Sequence, residues 1–155
     1  MEPRAALPEA RLSAIEQLSL AGVPVKAMLA PLIPGLNDVE MYNLMSAAHN
    51  AGARSIGYIL LRLPHETKMI FSNWLTRALP DAKAKILQRI TESRTGPSAK
   101  DFFATRMTGS GAYASCLEQS FAAEFLRLGF CQQSPDELNH TLFTTGSISG
   151  QLDLF

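Results

Sequence analysis

The chain has 155 residues, a formal net charge of zero, 46% hydrophobic residues and 18% charged residues. This composition is typical of a globular domain and excludes a disordered chain, and the neutral balance gives no sign of a nucleic-acid or membrane partner for the molecule as a whole. The length permits one domain with a real core, but it is too short for a complete eight-stranded barrel of about 250 residues.

The cysteines and the N-terminal residues indicate the cellular compartment. Cys116 and Cys131 lie far apart and form no CxxC motif, which favours reduced, structural thiols over a disulfide or a metal site. The opening MEPRAALPEARLS lacks the apolar segment of a signal peptide, and no run approaches the roughly 18 apolar residues of a membrane span. We therefore expect a cytoplasmic protein with no membrane association.

The first predicted element is a helix. Pro8 suits a first helical turn, Ala14, Ile15 and Leu18 share one side, and Gly22 ends the pattern. A βα pattern normally places a strand before such a helix, yet only MEPRAAL precedes it. We therefore expect the chain to start in the middle of a larger fold.

A strand, a helix and a second strand follow. The apolar, β-branched runs 23–33 and 55–63 predict two buried strands. Between them, PGLND offers Asn37 or Asp38 as a helix cap with Glu40 completing a capping box. The intervening helix has an apolar stripe at Met41, Leu44, Met45 and Ala48 and ends near Gly52. Because two buried strands joined by one helix must run the same way, this is a parallel βαβ unit.

The carboxyl ends of the two strands are the predicted site, since ligands of barrels and open α/β sheets bind there. APLIPGLND and LRLPHE offer polar groups at these ends, namely Asn37, Asp38, Arg62, His65 and Glu66. Side-chain alternation places Arg62 on the same side as Tyr58. Arg62 is suited to hold a carboxylate or phosphate, although a structural ion pair is the alternative. Lys26 either points into a polar barrel lumen or extends from an edge strand.

Other catalytic motifs are absent from the sequence. GxSxG, P-loop, GxGxxG and HExxH patterns do not occur, so serine-hydrolase, nucleotide-triphosphate and zinc-peptidase activities lack support. His65 has no second histidine three or four residues later, and His49 and His140 stand alone, so we expect no metal site on these histidines. Glu66 has a simple explanation as a first-turn carboxylate that meets the helix dipole.

The second half of the chain is predicted to be helical. Pro64 opens a helix whose apolar side comprises Ile70, Phe71, Trp74, Leu75 and Ala78; Pro80 interrupts it, and Asp81 is placed to cap a continuation carrying Ile86, Leu87 and Ile90. Residues 95–111 read as a loop, and a last helix carries Leu117, Phe121, Phe125 and Leu128 up to Gly129. We thus divide the chain into an α/β portion (1–94), a loop and helix packed on it (95–130), and a flexible tail (131–155).

Two segments are suited to macromolecular partners. Residues 77–106 hold seven basic side chains against three acidic ones, an excess that could meet a nucleic-acid backbone or simply form a solvated helix face. The terminal QLDLF, comprising Gln151, Leu152, Asp153, Leu154 and Phe155, follows a Ser/Gly-rich run. Two leucines and an aromatic ring can fill a preformed pocket while the glutamine fixes their orientation. This pentapeptide resembles the motif by which bacterial replication and repair proteins bind the sliding clamp.

Four stretches together carry a family resemblance. MEPRAALPEARLSAIEQLSLAGVPV, APLIPGLND, ARSIGYILLRLPHETKMIFSNWL and RMTGSGAY resemble, in order and spacing, the later half of radical S-adenosylmethionine proteins of the spore-photoproduct-lyase-like ("DNA repair photolyase") group. The resemblance covers about residues 1–130. It implies that 23–33 and 55–63 are late strands of a partial (β/α)6 barrel, and that Arg4, Asn37, Tyr58 and Arg62 border the cofactor and substrate pocket.

The sequence departs from that family at one point. The family's CxxxCxxC loop, whose thiolates bind a [4Fe–4S] cluster with S-adenosylmethionine on the open iron, has no counterpart here. We therefore expect a C-terminal portion of such an enzyme that is inactive alone and needs a missing N-terminal half or a partner chain. The alternatives are a non-catalytic α/β module tethered to the sliding clamp through QLDLF, and an unrelated α/β domain that binds an anionic small molecule through Arg62.

Overall fold

The computed structural model describes residues 5–94 and 105–131, apart from the side chains of His65, Thr105 and Arg106. The elements in chain order are α1 (Pro8–Leu20), β1 (Lys26–Leu32), a 3-10 helix (Asp38–Glu40), α2 (Met41–Asn50), β2 (Ser55–Leu60), α3 (His65–Ala78), α4 (Lys83–Glu92), α5 (Thr105–Thr108) and α6 (Ala112–Leu128). The tail, including QLDLF, lies outside the described residues.

The two strands form a parallel sheet with α2 as the crossover, so the predicted βαβ unit is confirmed. Pairing begins at Lys26 with Ser55 and is regular to Leu29 with Tyr58, after which the register shifts before Leu32 pairs with Leu60. Pro31 lies in the shifted part, where a residue without an N–H cannot donate to the ladder.

Both strands are shorter than the predicted ranges 23–33 and 55–63. At the amino end, residues 51–54 form the turn between α2 and β2 and leave no partner strand for the residues before Val25. The Val25 carbonyl accepts the N–H groups of Arg54 (2.9 Å) and Ser55 (3.4 Å). At the other end, the N–H of Ile33 donates to the Asn37 side chain rather than to a neighbouring strand. The hydrophobic pattern therefore overestimated the length of both strands, because it contains no information on where the partner strand ends.

One face of the sheet is covered by helices. On this face, Ala27 and Leu29 of β1 and Ile56 and Leu60 of β2 point toward the helices α2 and α6. These side chains pack in a single apolar cluster. Met41, Met45 and Ala48 of α2 are buried there, whereas Leu44 is 38% exposed. Fully burying one such side chain stabilises the fold by about 1.5–3 kcal/mol, so this cluster is the main core.

The last helix follows its predicted pattern. In α6, Leu117 is buried in the main core, and Phe121, Phe125 and Leu128 pack against it. Gly129 adopts the left-handed conformation, with φ of 73°, and its N–H bonds back to Leu126, as expected for a glycine C-cap. The 3.6-residue periodicity thus identified both the helix and its buried side.

A second cluster lies beneath α3 and α4. Ile33, which follows β1, packs with Phe71 and Leu75 of α3 and with Ile86 and Ile90 of α4. Pro64 precedes the first helical residue, as predicted. Of the apolar side expected for α3, Phe71 and Leu75 are buried, but Ile70 is 69% exposed.

On the other sheet face, the β1 side chains are exposed, whereas Ser55 of β2 is buried. Lys26, Met28 and Ala30 are exposed on it, with Met28 at 49%. A Cβ on Gly57 would lie 3.0 Å from Met28 Sδ and 3.5 Å from Lys26 Cε, so both side chains lean across β2 at this glycine. Helix α1 also has no buried residue, and its apolar side chains include Leu20, which is 82% exposed.

The helix-capping predictions are wrong. Neither Asn37 nor Asp38 caps α2, since a 3-10 helix intervenes, and Glu40, its N-cap residue, makes no side-chain cap bond. Asp81 does not cap α4, whose N-cap residue is Ala82. The polar side chains after β1 instead bond the loop backbone: Asn37 accepts from Ile33 N–H (2.6 Å), and Asp38 accepts from Gly35 N–H (3.0 Å). Asn and Asp oxygens serve either purpose, and the tight PGL turn brings loop N–H groups within reach first.

Candidate site at the carboxyl ends of the strands

The carboxyl ends of β1 and β2 lie side by side. The N–H of Leu61 donates to the carbonyl of Leu32 at 2.8 Å, so the chain leaving one strand touches the end of the other. The loop 33–38 and the segment 61–64 therefore border a common edge of the sheet, as the sequence predicted. The two ends nevertheless differ in their chemistry.

The end of β1 carries a hydrogen-bonded chain of three side chains. Asp38, which is buried, accepts a short hydrogen bond from the hydroxyl of Tyr113 at the start of α6. That hydroxyl in turn accepts from Arg89 Nη1 of α4 at 3.0 Å, and the Arg89 guanidinium lies 4.9 Å from the Tyr113 ring centre. These bonds join the loop after β1 to α4 and α6. The negative charge of the Asp38 carboxylate compensates the positive charge of the Arg89 guanidinium.

This triad borders an open depression of about 180 Å³. Its lining includes Asp38, Met41, Arg89, Tyr113, Leu117 and Ser120. Burial raises the pKa of Tyr113, and the hydrogen bond to Asp38 together with its negative charge raises it further. Tyr113 therefore stays protonated and keeps donating to Asp38 at neutral pH. The other carboxylate oxygen, Asp38 Oδ1, is buried without a hydrogen-bond partner in the described structure.

The end of β2 carries two arginines. Arg94 Nη2, at the end of α4, donates to the carbonyls of Leu60 and Leu61, both at 3.1 Å. Arg62 is the next residue along the chain and is exposed. Burial and the positive charge of Arg62 lower the pKa of Arg94 below its ordinary value.

The turn 108–111 secures the same strand end. Ser110 N–H donates to the Ser93 carbonyl at 2.9 Å, which holds the turn against the residue before Arg94. Gly109 has φ of 83°, and a Cβ there would come within 2.7 Å of both Leu60 Cδ1 and the Ser93 carbonyl oxygen. Only glycine fits this conformation and this space, which explains the glycine of RMTGSGAY in structural terms.

Tyr58 lies on the covered face in the middle of β2. Its ring centre is 4.7 Å from that of Phe121, and its hydroxyl is buried without a hydrogen-bond partner in the described part of the chain. Burial, with a smaller contribution from the negative charge of Glu118, raises the pKa of Tyr58 to about 12. Tyr58 is therefore a neutral group next to the core.

The structure brings some predicted site residues together and separates others. Asn37 and Arg62 lie at the shared carboxyl edge, while Tyr58 packs under α6. Lys26 lies at the opposite, amino end of β1, on the sheet face turned away from the helices. The predicted residues Arg4, Gln151, Leu152, Leu154 and Phe155 lie outside the described residues.

Sequence reasoning did not identify Arg89, Arg94 and Tyr113 as site residues. All three belong to stretches that it singled out, the basic run and RMTGSGAY. Within the described part of that run, Lys83 donates to Thr76 Oγ1 (2.8 Å), whereas Arg77 and Lys85 are exposed. The run is therefore in part a structural set of cations and in part a solvated face.

The described residues do not fit an iron–sulfur cluster. Cys116 and Cys131 are free, exposed thiols, and no three His, Cys, Asp or Glu side chains among residues 5–94 and 105–131 lie together as a metal site would require. Thiolates are the ligands that such iron needs. No helix in these same ranges has the length and apolar character of a membrane-crossing segment.

Comparison with known proteins finds similarity over about half of the chain. The chain is 34% identical over 76 residues to uncharacterized proteins of Mycobacterium tuberculosis and Mycobacterium bovis, and the match covers 48% of this chain but 22% of each relative. No family model matches the sequence. No solved structure matches it either.

Proposed function

We propose that this chain is the substrate-side, C-terminal portion of a radical S-adenosylmethionine enzyme of the DNA-repair-photolyase-like group. In this proposal the chain contributes two parallel strands and part of the pocket wall, and cluster ligands come from a missing N-terminal half or a partner chain. The chain alone is then inactive, because it lacks the thiolates that bind the cluster.

The exposure of β1 on the sheet face turned away from α2 and α6 is the observation that carries the proposal. In α/β barrels the helices form an outer ring and the opposite face of each strand lines the interior. Here α2 and α6 cover one face, whereas Lys26, Met28 and Ala30 stand exposed on the other. In the described residues β1 pairs with β2 alone. A cationic Lys26 on the interior-type face would suit a polar pocket better than a packed core.

The size of the relatives agrees with a larger assembly. The matched segment makes up 22% of each mycobacterial protein, so most of the relative's length lies outside the match. The cysteine-bearing strands would be sought there.

A chimera of the Mycobacterium tuberculosis relative tests the proposal. Its matched segment is replaced by the 76-residue segment of this chain that aligns with it, and the chimera, the relative and the isolated chain are reconstituted anaerobically with iron and sulfide. We expect iron–sulfur absorbance and S-adenosylmethionine cleavage from the relative and the chimera but not from the chain. A relative that binds no cluster, or a chain that does so alone, would refute the proposal.

The QLDLF end supports a second candidate, a non-catalytic module held on the bacterial sliding clamp. Two leucines and a terminal phenylalanine have the anchor spacing that such a pocket accepts. Deleting residues 151–155 should abolish binding to immobilised clamp, and a matched variant with Asp153→Ala should bind as before because it keeps every anchor. Equal affinity of the deletion variant and the full chain would remove this candidate.

A further inference from the structure

We propose that the free edge of β1 (Lys26–Leu32) binds an extended segment of a second polypeptide, which joins the sheet as an added strand. The segment presents apolar side chains toward α1 and acidic side chains toward Lys26. We assign it to the complementary half, meaning the polypeptide that completes the enzyme. That source rests on the proposed function, whereas the properties of the edge do not.

Three residues of β1 direct their backbone groups away from β2. The Val25 carbonyl accepts N–H groups from the start of β2, so the backbone groups of Val25 face that strand. Because these groups alternate sides along a strand, the N–H and C=O groups of Lys26, Met28 and Ala30 face the opposite edge. In the described part of the chain β1 pairs with β2 alone. The β1 edge therefore offers hydrogen-bonding groups to another strand.

The outer edge of β2 differs, because other groups already occupy it. The same alternation turns the Leu60 carbonyl away from β1, and Arg94 Nη2 donates to that carbonyl at 3.1 Å. The turn 108–111 lies there too, since a Cβ on Gly109 would come within 2.7 Å of Leu60 Cδ1. Of the two edges in the described structure, the β1 edge is the one that can accept a strand along its length.

Helix α1 can cover the added segment. It contacts α2, and Ile15 packs against the main core. Since α2 crosses from β1 to β2 and α6 packs on β2, α1 lies over the β1 side of the sheet. Leu7 and Leu18 are 72% and 46% exposed. With exposed Ala14 they form an apolar stripe at i, i+7 and i+11, against which apolar side chains of the segment would pack.

Lys26 determines which charge the segment carries on the opposite face. Its side chain is exposed, and its Cε would lie 3.5 Å from a Cβ on Gly57, so the stem of Lys26 lies along the sheet. Among the described residues no carboxylate pairs with its ammonium group. A neighbouring strand lies about 5 Å away. An acidic side chain on that strand would therefore form a cross-strand pair with Lys26.

The test follows the isotopically labelled full chain by NMR during titration with two capped heptapeptides, one alternating valine with glutamate and one alternating valine with lysine. The glutamate peptide should shift the amide resonances of Lys26, Met28 and Ala30 more than those of Ala27 and Leu29, whose N–H groups face β2. The lysine peptide should bind roughly threefold more weakly, the equivalent of one cross-strand charge pair.

Two variants at one position separate the backbone from the side chain. Met28→Pro removes an N–H that faces the free edge, so the fold should tolerate it while binding of the glutamate peptide falls about tenfold. Met28→Ala is the matched control, because it keeps the N–H, and it should change binding less than threefold. Circular dichroism checks that both variants fold.

Hydrogen exchange of the unmutated chain gives a second measurement that needs no variant. The amides of Lys26, Met28 and Ala30 should exchange faster than those of Ala27 and Leu29 without peptide and should slow when the glutamate peptide binds.

The proposal fails if neither peptide binds, if both bind equally, or if Met28→Pro binds as well as Met28→Ala. It also fails if the three edge amides are already protected in the chain alone, since other residues of the chain or a second copy would then occupy the edge. These outcomes leave the cluster and cleavage assays of the proposed function unaffected, and failure of those assays leaves the edge as described.

Discussion

The two strand ends lie at one edge of one sheet, yet different side-chain contacts hold them in place. At the end of β1, the Arg89 guanidinium and the Asp38 carboxylate carry opposite charges and are joined through the neutral Tyr113 hydroxyl. At the end of β2, Arg62 and Arg94 carry the same charge. The first set joins the helices α4 and α6 to the loop after β1, whereas Arg94 Nη2 holds the end of β2 through the carbonyls of Leu60 and Leu61. Side chains from three elements thus bond each other at the first end, whereas at the second Arg94 bonds the strand backbone and Arg62 stays exposed beside it.

The largest expected effect concerns the turn that holds the second end. Gly109→Ala adds a Cβ that would come within 2.7 Å of the Leu60 side chain and the Ser93 carbonyl. We expect a loss of about 3–5 kcal/mol in the free energy of unfolding, because strain in a left-handed conformation adds to overpacking. Urea denaturation followed by circular dichroism measures it.

Gly22→Ala is the control for that experiment. Gly22 has a φ of 79°, close to that of Gly109, but nothing lies within 4 Å of the added Cβ. It should cost only the conformational strain of about 1–2 kcal/mol. Equal losses for both variants would show that Gly109 is required for its φ alone and that the turn does not press against β2.

Tyr113→Phe tests the first end and should have the next largest effect. It leaves the ring under the Arg89 guanidinium but removes the hydroxyl that joins Arg89 to Asp38. We expect a loss of about 1–3 kcal/mol, because the buried Asp38 carboxylate is then left with the Gly35 N–H as its partner.

Tyr42→Phe is the matched control. Tyr42 borders the same depression but is 45% exposed, so its change should stay within about 0.5 kcal/mol. If Tyr113→Phe were as mild, the triad would contribute nothing to the fold, and its polar groups would be free for another role.

Contacts between residues close in sequence could be predicted, whereas contacts between residues far apart in sequence could not. The βαβ unit and the α6 stripe follow from periodicity within a dozen residues. The bonds from Tyr113 to Asp38 and from Arg94 to Leu60 span 75 and 34 residues, and no local pattern specifies such pairs. The capping predictions failed for a related reason: Asn37 and Asp38 had two sets of N–H groups within reach, and only the folded loop decided between them.

We expect Tyr58→Phe to have a smaller effect on the free energy of unfolding, and one that depends on pH. The Tyr58 hydroxyl is buried without a partner among the described residues, so its removal should leave stability unchanged or raise it by up to about 1 kcal/mol. The pKa of Tyr58 is raised to about 12. Since the unfolded chain releases this proton at lower pH than the folded one, the wild type should lose stability as pH rises from 10 toward 12.

Tyr58→Phe should reduce that alkaline loss. The residual slope in the variant would come from other groups, among them Tyr113, whose pKa is also raised. Unfolding midpoints at pH 8 to 11 for both proteins give the comparison. An unchanged alkaline slope in Tyr58→Phe would mean that the phenol is solvated in the folded protein.

The smallest effect is expected for Arg62→Ala, and it is the sharpest test of the comparison. Arg62 is exposed and its charge repels that of Arg94, so removing its side chain should change the free energy of unfolding by no more than about 0.5 kcal/mol. Stability should therefore remain constant in this variant, a result that no structural ion pair would show. If Arg62→Ala instead destabilised the chain as much as Tyr113→Phe, Arg62 would have a structural partner, and both strand ends would belong to the scaffold.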